Sequence, residues 1–146
     1  MSESSVSPLS FSAALTVSFD EAVARTREAF AAQGFGVLTE IDVTATLRTK
    51  IGAEIEDILI LGACNPTFAH RALQSTRAVA LMMPCNVVVR RDPEDEGHVL
   101  VEALNPAMMV DFAGDGDGDD AGLAAVAEDA ASRVSAAVAA VAAPVD

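Results

Sequence analysis

Two short segments hold the residues best suited to chemistry: Gly62-Ala63-Cys64-Asn65-Pro66 and Met83-Pro84-Cys85-Asn86-Val87. Each sets a cysteine before an asparagine and within two residues of a proline, which confines the neighbouring backbone to few conformations. Cys64 falls where a strand is expected to hand over to a helix. The unpaired amides and partial positive charge of a helix N-terminus would favour a thiolate there. Chemistry that needs a nucleophilic sulfur or a soft-metal ligand uses such a place. Asn65 and Asn86 could orient a ligand through their amides, or cap turns. A plainer role stands beside this one, because cysteine often fills core space as a small apolar side chain. Cys64, Asn65, Cys85 and Asn86 are therefore the candidate ligand-binding residues, with no catalytic residue assigned. Whether the two sulfurs meet depends on topology. Parallel strands at Ile55 and Asn86 would put them at opposite ends of a sheet, and antiparallel strands can put them at one end.

Other constellations carry less. A zinc site needs about four ligands, with cysteines or histidines paired at short spacing. Only Cys64, His70 and Cys85 are near one another in sequence, and Cys64 and His70 do not share a helix face. No metal site is expected within one chain. A site shared across a dimer, or an axial haem ligand, would need fewer ligands per chain, but no haem-attachment motif is present. Asp117, Asp119, Gly122 and Glu128 match four positions of an EF-hand loop, yet Ala121 replaces a ligand and Glu128 belongs to an expected helix. A solvated acidic loop is the expectation there. The nucleophile elbow, phosphate loop and dinucleotide fingerprint are absent. The sequence thus names no cofactor and no reaction.

These segments must be positioned by one domain, since 146 residues leave no room for a second of useful size. With 51% hydrophobic residues, six Phe and no Trp or Tyr, the core must be mainly aliphatic. The formal net charge of -13 disfavours phosphate backbones and anionic membranes as partners. No basic run interleaved with aromatics offsets it, so no nucleic-acid role is expected. Residues 1–11 lack the features of a signal peptide, and the longest apolar runs are too short to cross a bilayer. The expected location is cytoplasmic, with both cysteines free.

Residues 1–9 are Ser-rich and read as a disordered N-terminal segment, leaving 10–146 as the domain. Phe11, Ala13, Leu15 and Val17 alternate as in a half-buried strand. Ser18 and Glu21 form a capping box for a helix that Gly34 ends. Its inner face is expected to hold Phe19, Val23, Thr26 and Phe30. Phe35 to Ile41 reads as a strand with Phe35, Val37, Thr39 and Ile41 on one side. A short helix follows from Val43 to Ile51, capped by Asp42 and stopped by Gly52. Ile55 to Ala63 reads as a third strand, whose Ile58-Leu59-Ile60-Leu61 core is apolar on both faces and so expected to be central. Pro66 opens a helix to about Ser75. Asn86–Arg91 and Val99–Leu104 read as a hairpin around Asp92–Gly97. A single turn is expected at Pro106–Met109. Leu123, Val126, Ala130, Val134, Ala137 and Val141 trace one face of a long closing helix. The order β-α-β-(α)-β-α-β-β-α predicts a single compact α+β domain, an approximately five-stranded sheet with helices packed largely on one face.

Together, Gly62-Ala63-Cys64-Asn65-Pro66, Ala69, Leu73, Met83-Pro84-Cys85-Asn86-Val87-Val88-Val89, Val99, Val101 and Asn105-Pro106 resemble the domain of unknown function 302 (DUF302) family, cysteine-bearing branch. The resemblance spans about residues 19–141. Members typically show Leu-Leu-Pro where this chain has Met82-Met83-Pro84. The resemblance implies an α+β sheet covered by helices, commonly a homodimer, and no established activity; its loose link with sulfur or redox contexts suggests thiol or soft-ligand handling. Three readings follow: a dimeric binding module for a small ligand, soft metal or sulfur species; a thiol-dependent redox or sulfur-transfer enzyme centred on Cys64; and a structural dimer with inert, buried cysteines.

Overall fold

Alternating apolar residues along five segments drive the sheet, and a sixth segment extends it. The computed structural model describes residues 3–6, 9–113 and 120–143. The strands are β1 (Glu3–Val6), β2 (Ser10–Leu15), β3 (Gly36–Asp42), β4 (Ile58–Cys64), β5 (Cys85–Asp92) and β6 (Asp95–Leu104). They lie in the order β1-β2-β6-β5-β4-β3 with every neighbouring pair antiparallel. The five expected strands are β2 to β6. The sixth, β1, pairs with β2 inside the segment expected to be disordered.

The helices are α1 (Phe19–Ala32), α2 (Val43–Ile51), α3 (Pro66–Ser75), α4 (Met108–Ala113) and α5 (Asp120–Ala142), with a 3₁₀ turn at Arg77–Met82. Helix α1 runs from β2 across the sheet to the far edge strand β3. Helix α5 packs beside it against β2. Beneath them, Phe11, Ala13, Leu15, Leu59, Leu61, Val87, Val89, Val99 and Val101 form one buried face of the sheet. Each of the six stripe residues of α5 is buried. At this burial, each Leu or Val contributes about 1.5–3 kcal/mol.

Local signals set the helix ends. Ser18 accepts a hydrogen bond from the Glu21 amide at 3.1 Å. The reciprocal half of the expected capping box is not made, because the Glu21 carboxylate pairs with Arg25 instead. Gly34 and Gly52 take positive φ after α1 and α2, where a side chain would be strained. On α1, Thr26 and Phe30 are buried as expected, with Ala22 and Ala29; Phe19 and Val23 are only partly covered.

Three expectations about the sheet are corrected. A bulge between Val37 and Thr39 shifts the register of β3. The extra residue turns Thr39 and Ile41 away from the side that Phe35 and Val37 occupy, and Ile41 stands 50% exposed. Strand β4 is not central but next to the edge, and it is its Leu59, Leu61 and Ala63 side that packs into the main core. The β5–β6 turn is tighter than expected, with Asp92 opposite Asp95 and the Asp92 carboxylate accepting from the Glu94 amide.

Candidate functional site

Antiparallel pairing of β4 with β5 decides the question of the two sulfurs. Ala63 stands opposite Cys85 and Gly62 opposite Asn86, so both cysteines lie at one end of the sheet. The connection between these strands, α3 and the 3₁₀ turn, rises from that same end. It packs a small second core of Ala72, Val79, Leu123 and Val126 against α5. The Arg71–Asp129 ion pair at 2.9 Å ties α3 to α5.

Between the two cores lies a cavity of about 70 Å³. A water needs roughly 10–15 Å³ of such space, so the cavity holds a few waters or one small molecule. Cys64, Asn65 and Cys85 line it, with Phe35, Phe68 and Ala69. Phe35 stacks edge-on with Phe30 at 5.7 Å and with Phe68 at 6.4 Å, joining the main core to the cavity wall. Both cysteines are free and half-buried. Asn86 does not line the cavity. Strand alternation turns it to the opposite face from Cys85, where it is exposed.

Asn65 is committed to the backbone. Its Oδ1 accepts from the Thr67 and Phe68 amides at 3.1 and 3.3 Å, and its Nδ2 donates to the Gln33 carbonyl at 3.3 Å. Its own carbonyl accepts from the Ala69 amide. Pro66 has no amide to offer. The first-turn donors expected to favour a thiolate at Cys64 are therefore taken by Asn65. Gly34 leaves room for this arrangement, since a Cβ there would stand 2.9 Å from Asn65 Nδ2. Asn65→Ala is expected to lose about 1–2 kcal/mol of stability, read as a lowered midpoint in urea; an unchanged midpoint would contradict the capping role.

Cys85 is a different kind of group. Its thiol donates to the Leu104 carbonyl at 3.6 Å. Burial pushes its pKa up to about 12, and the neighbouring Cys64 adds to the rise. It is a neutral thiol at ordinary pH. Pro84, which precedes it, packs on Gly62, where a Cβ would stand 2.7 Å from Pro84 Cγ and run into Thr39 Oγ1.

The remaining candidates are elsewhere. His70 is exposed on α3, and His98 pairs with Asp95 near the β5–β6 turn. Among the described residues no group of three or more His, Cys, Asp or Glu is placed to hold a metal. Asp117 and Asp119 lie outside the described residues. Gly122 and Glu128 are both within α5, so the second half of the EF-hand match is helix, not loop. Sequence reading missed Phe35, Phe68, Met82, Met83 and Met109 as cavity residues. The adjacent methionines before Pro84 were the available signal.

These features define an antiparallel α+β domain with helices over one sheet face and a thiol-lined cavity at one sheet end. The chain belongs to the family described as domain of unknown function DUF302, whose model matches residues 11–141. It is also similar to a solved structure, the uncharacterized conserved protein DUF302 from Bacillus stearothermophilus. That similarity has 27% identity and a TM-score of 0.78, covering 90% of this chain and 96% of the other. No curated protein matches. Among the described residues no helix is long and apolar enough to cross a membrane.

Proposed function

We propose that the protein is a dimeric binding module, and that the cavity at the sheet end holds a small soft or apolar ligand against Cys64 and Cys85. The observation that carries this reading is the shared cavity itself. It is small and mostly apolar, and both thiols line it. Asn65 serves by fixing the α3 terminus beside the cavity rather than by touching ligand with a free amide. The reading of Cys64 as an enzymatic thiolate loses its main support, because Asn65 takes the amides that would favour it. Labelling with N-ethylmaleimide tests the cavity. Ala69 is a half-exposed lining residue, so Ala69→Leu should narrow the entrance and slow labelling of both thiols in the folded protein. Labelling only at the unfolding rate, indifferent to Ala69→Leu, would favour inert buried cysteines.

The dimer in this reading would use the sheet face opposite α1 and α5. Ile41, Ile58, Ile60, Val88 and Leu100 lie there, and Arg90 makes a two-point ion pair with Glu102 among them. Apolar surface around a charged pair of both signs suits a two-fold contact between copies, in which each patch meets itself. Val88→Glu is expected to shift the mass measured by light scattering from dimer to monomer. A wild-type monomer would remove the dimer from the reading and leave the cavity.

A further inference from the structure

We propose that the cavity is a site for a soft monovalent d¹⁰ metal ion, copper(I) being the working case. The inference rests on the cavity reading above and names its ligand. The chain has two cysteines and five methionines. Both cysteines and three of the methionines, Met82, Met83 and Met109, line this one small space. Thiolate and thioether sulfurs are the donors that select copper(I). Among the described residues no carboxylate or histidine lines the cavity, so the donors that suit calcium, magnesium or manganese are not found there. The two asparagine side chains on its wall offer little competition. Asn65 Oδ1 already accepts two backbone amides and Asn105 Oδ1 accepts from the Ala107 amide. The sulfurs are thus the donors left facing a space that has room for one ion and little water. Three separate parts of the chain supply them: Cys64 ends β4, Met82, Met83 and Cys85 flank Pro84, and Met109 comes from α4.

Methionines also fill gaps in cores, and Met83 and Met109 pack against the second core. The two roles differ in what a volume-conserving change does. Leucine keeps the packing and removes the donor. Binding needs no change of oxidation state, since the ion enters as copper(I). Each cysteine that ligates releases its proton to solvent.

The test is an anaerobic titration of the reduced full chain with copper(I), supplied as its acetonitrile complex and competed by bicinchoninate. One equivalent per chain is expected, with the ultraviolet absorption of thiolate-to-copper charge transfer. Cys85→Ala should diminish that band, and removal of both cysteines should abolish it. Met109→Leu and Met83→Leu should each weaken binding at least about tenfold, since even the loss of a contact outside the ligand shell costs about that much. Zinc(II) should not displace the copper. Equal affinity in both leucine variants would overturn the proposal, since the methionines would then be packing alone. Failure of the wild type to compete with bicinchoninate would also overturn it. Maleimide labelling that Ala69→Leu slows would in that case leave the cavity reading standing, and indifferent labelling would remove both.

Discussion

Stability is expected to fall as pH rises above 9, and Cys85 is expected to be the cause. Its folded pKa is raised from the ordinary 9.0 to about 12, chiefly by burial and further by Cys64. The sign follows from linkage. Above pH 9 the unfolded chain gives up the Cys85 proton while the folded chain keeps it, so the unfolded state binds fewer protons and stability drops as pH rises. The loss is absent below pH 9 and grows until about pH 12. It amounts to roughly 4 kcal/mol at most, a large share of the roughly 5–15 kcal/mol that holds a domain together. Few other side chains compete in the alkaline window, because the sequence has no Tyr, one Lys and, besides Cys85, one other thiol, Cys64. Urea unfolding at pH 8 and pH 10 checks this. The wild type should lose stability between them, and Cys85→Ala should lose much less. Equal losses in both proteins would contradict a thiol held neutral at this position.

The second large effect is expected at Gly62. A methyl group there meets Thr39 Oγ1 and lies 2.7 Å from Pro84 Cγ. Thr39 is exposed and can rotate, but the ring of Pro84 cannot. Gly62→Ala should therefore cost about 1–3 kcal/mol, as overpacking does. Adding Thr39→Ala should recover only a minor part, since the Pro84 contact remains. Because Pro84 adjoins Cys85, the variant should also label faster with maleimide while folded. A loss below about 0.5 kcal/mol, the range of ordinary surface changes, would show that the Pro84 ring moves freely and does not hold Cys85 in place.

Much of this architecture is legible in the sequence because the signals are local. Ser18, Asp42 and Asn65 stand before helices and each accepts a first-turn amide. Gly34 and Gly52 follow helices with positive φ. The stripe from Leu123 to Val141 needs only the helical period. What the sequence withholds is non-local. The bulge after Val37 follows from how β3 fits β4, so alternation along β3 alone puts Thr39 and Ile41 on the wrong side. The apolar second face of β4 suggests burial between two layers, but Ile58 and Ile60 are only half-buried.

The candidate site divides in the same way. The two Cys-Asn segments are visible as a pair in sequence, and antiparallel pairing of β4 and β5 brings Cys64 and Cys85 to one cavity. Asn65 and Asn86 look alike in sequence and differ in the fold. One follows the last residue of β4 and caps α3, and the other sits inside β5 with its side chain turned from the cavity. Met109 could not be placed from sequence, because α4 reaches the cavity only once β6 has carried the chain back to that end of the sheet.

Native mass spectrometry of the chain purified under reducing, oxygen-free conditions tests the cavity assignment most directly. A bound mass on the wild type, lost in Ala69→Leu and in Cys85→Ala, is the expected result. The same added mass on all three proteins would contradict it, because the ligand would then sit somewhere other than between Cys64 and Cys85.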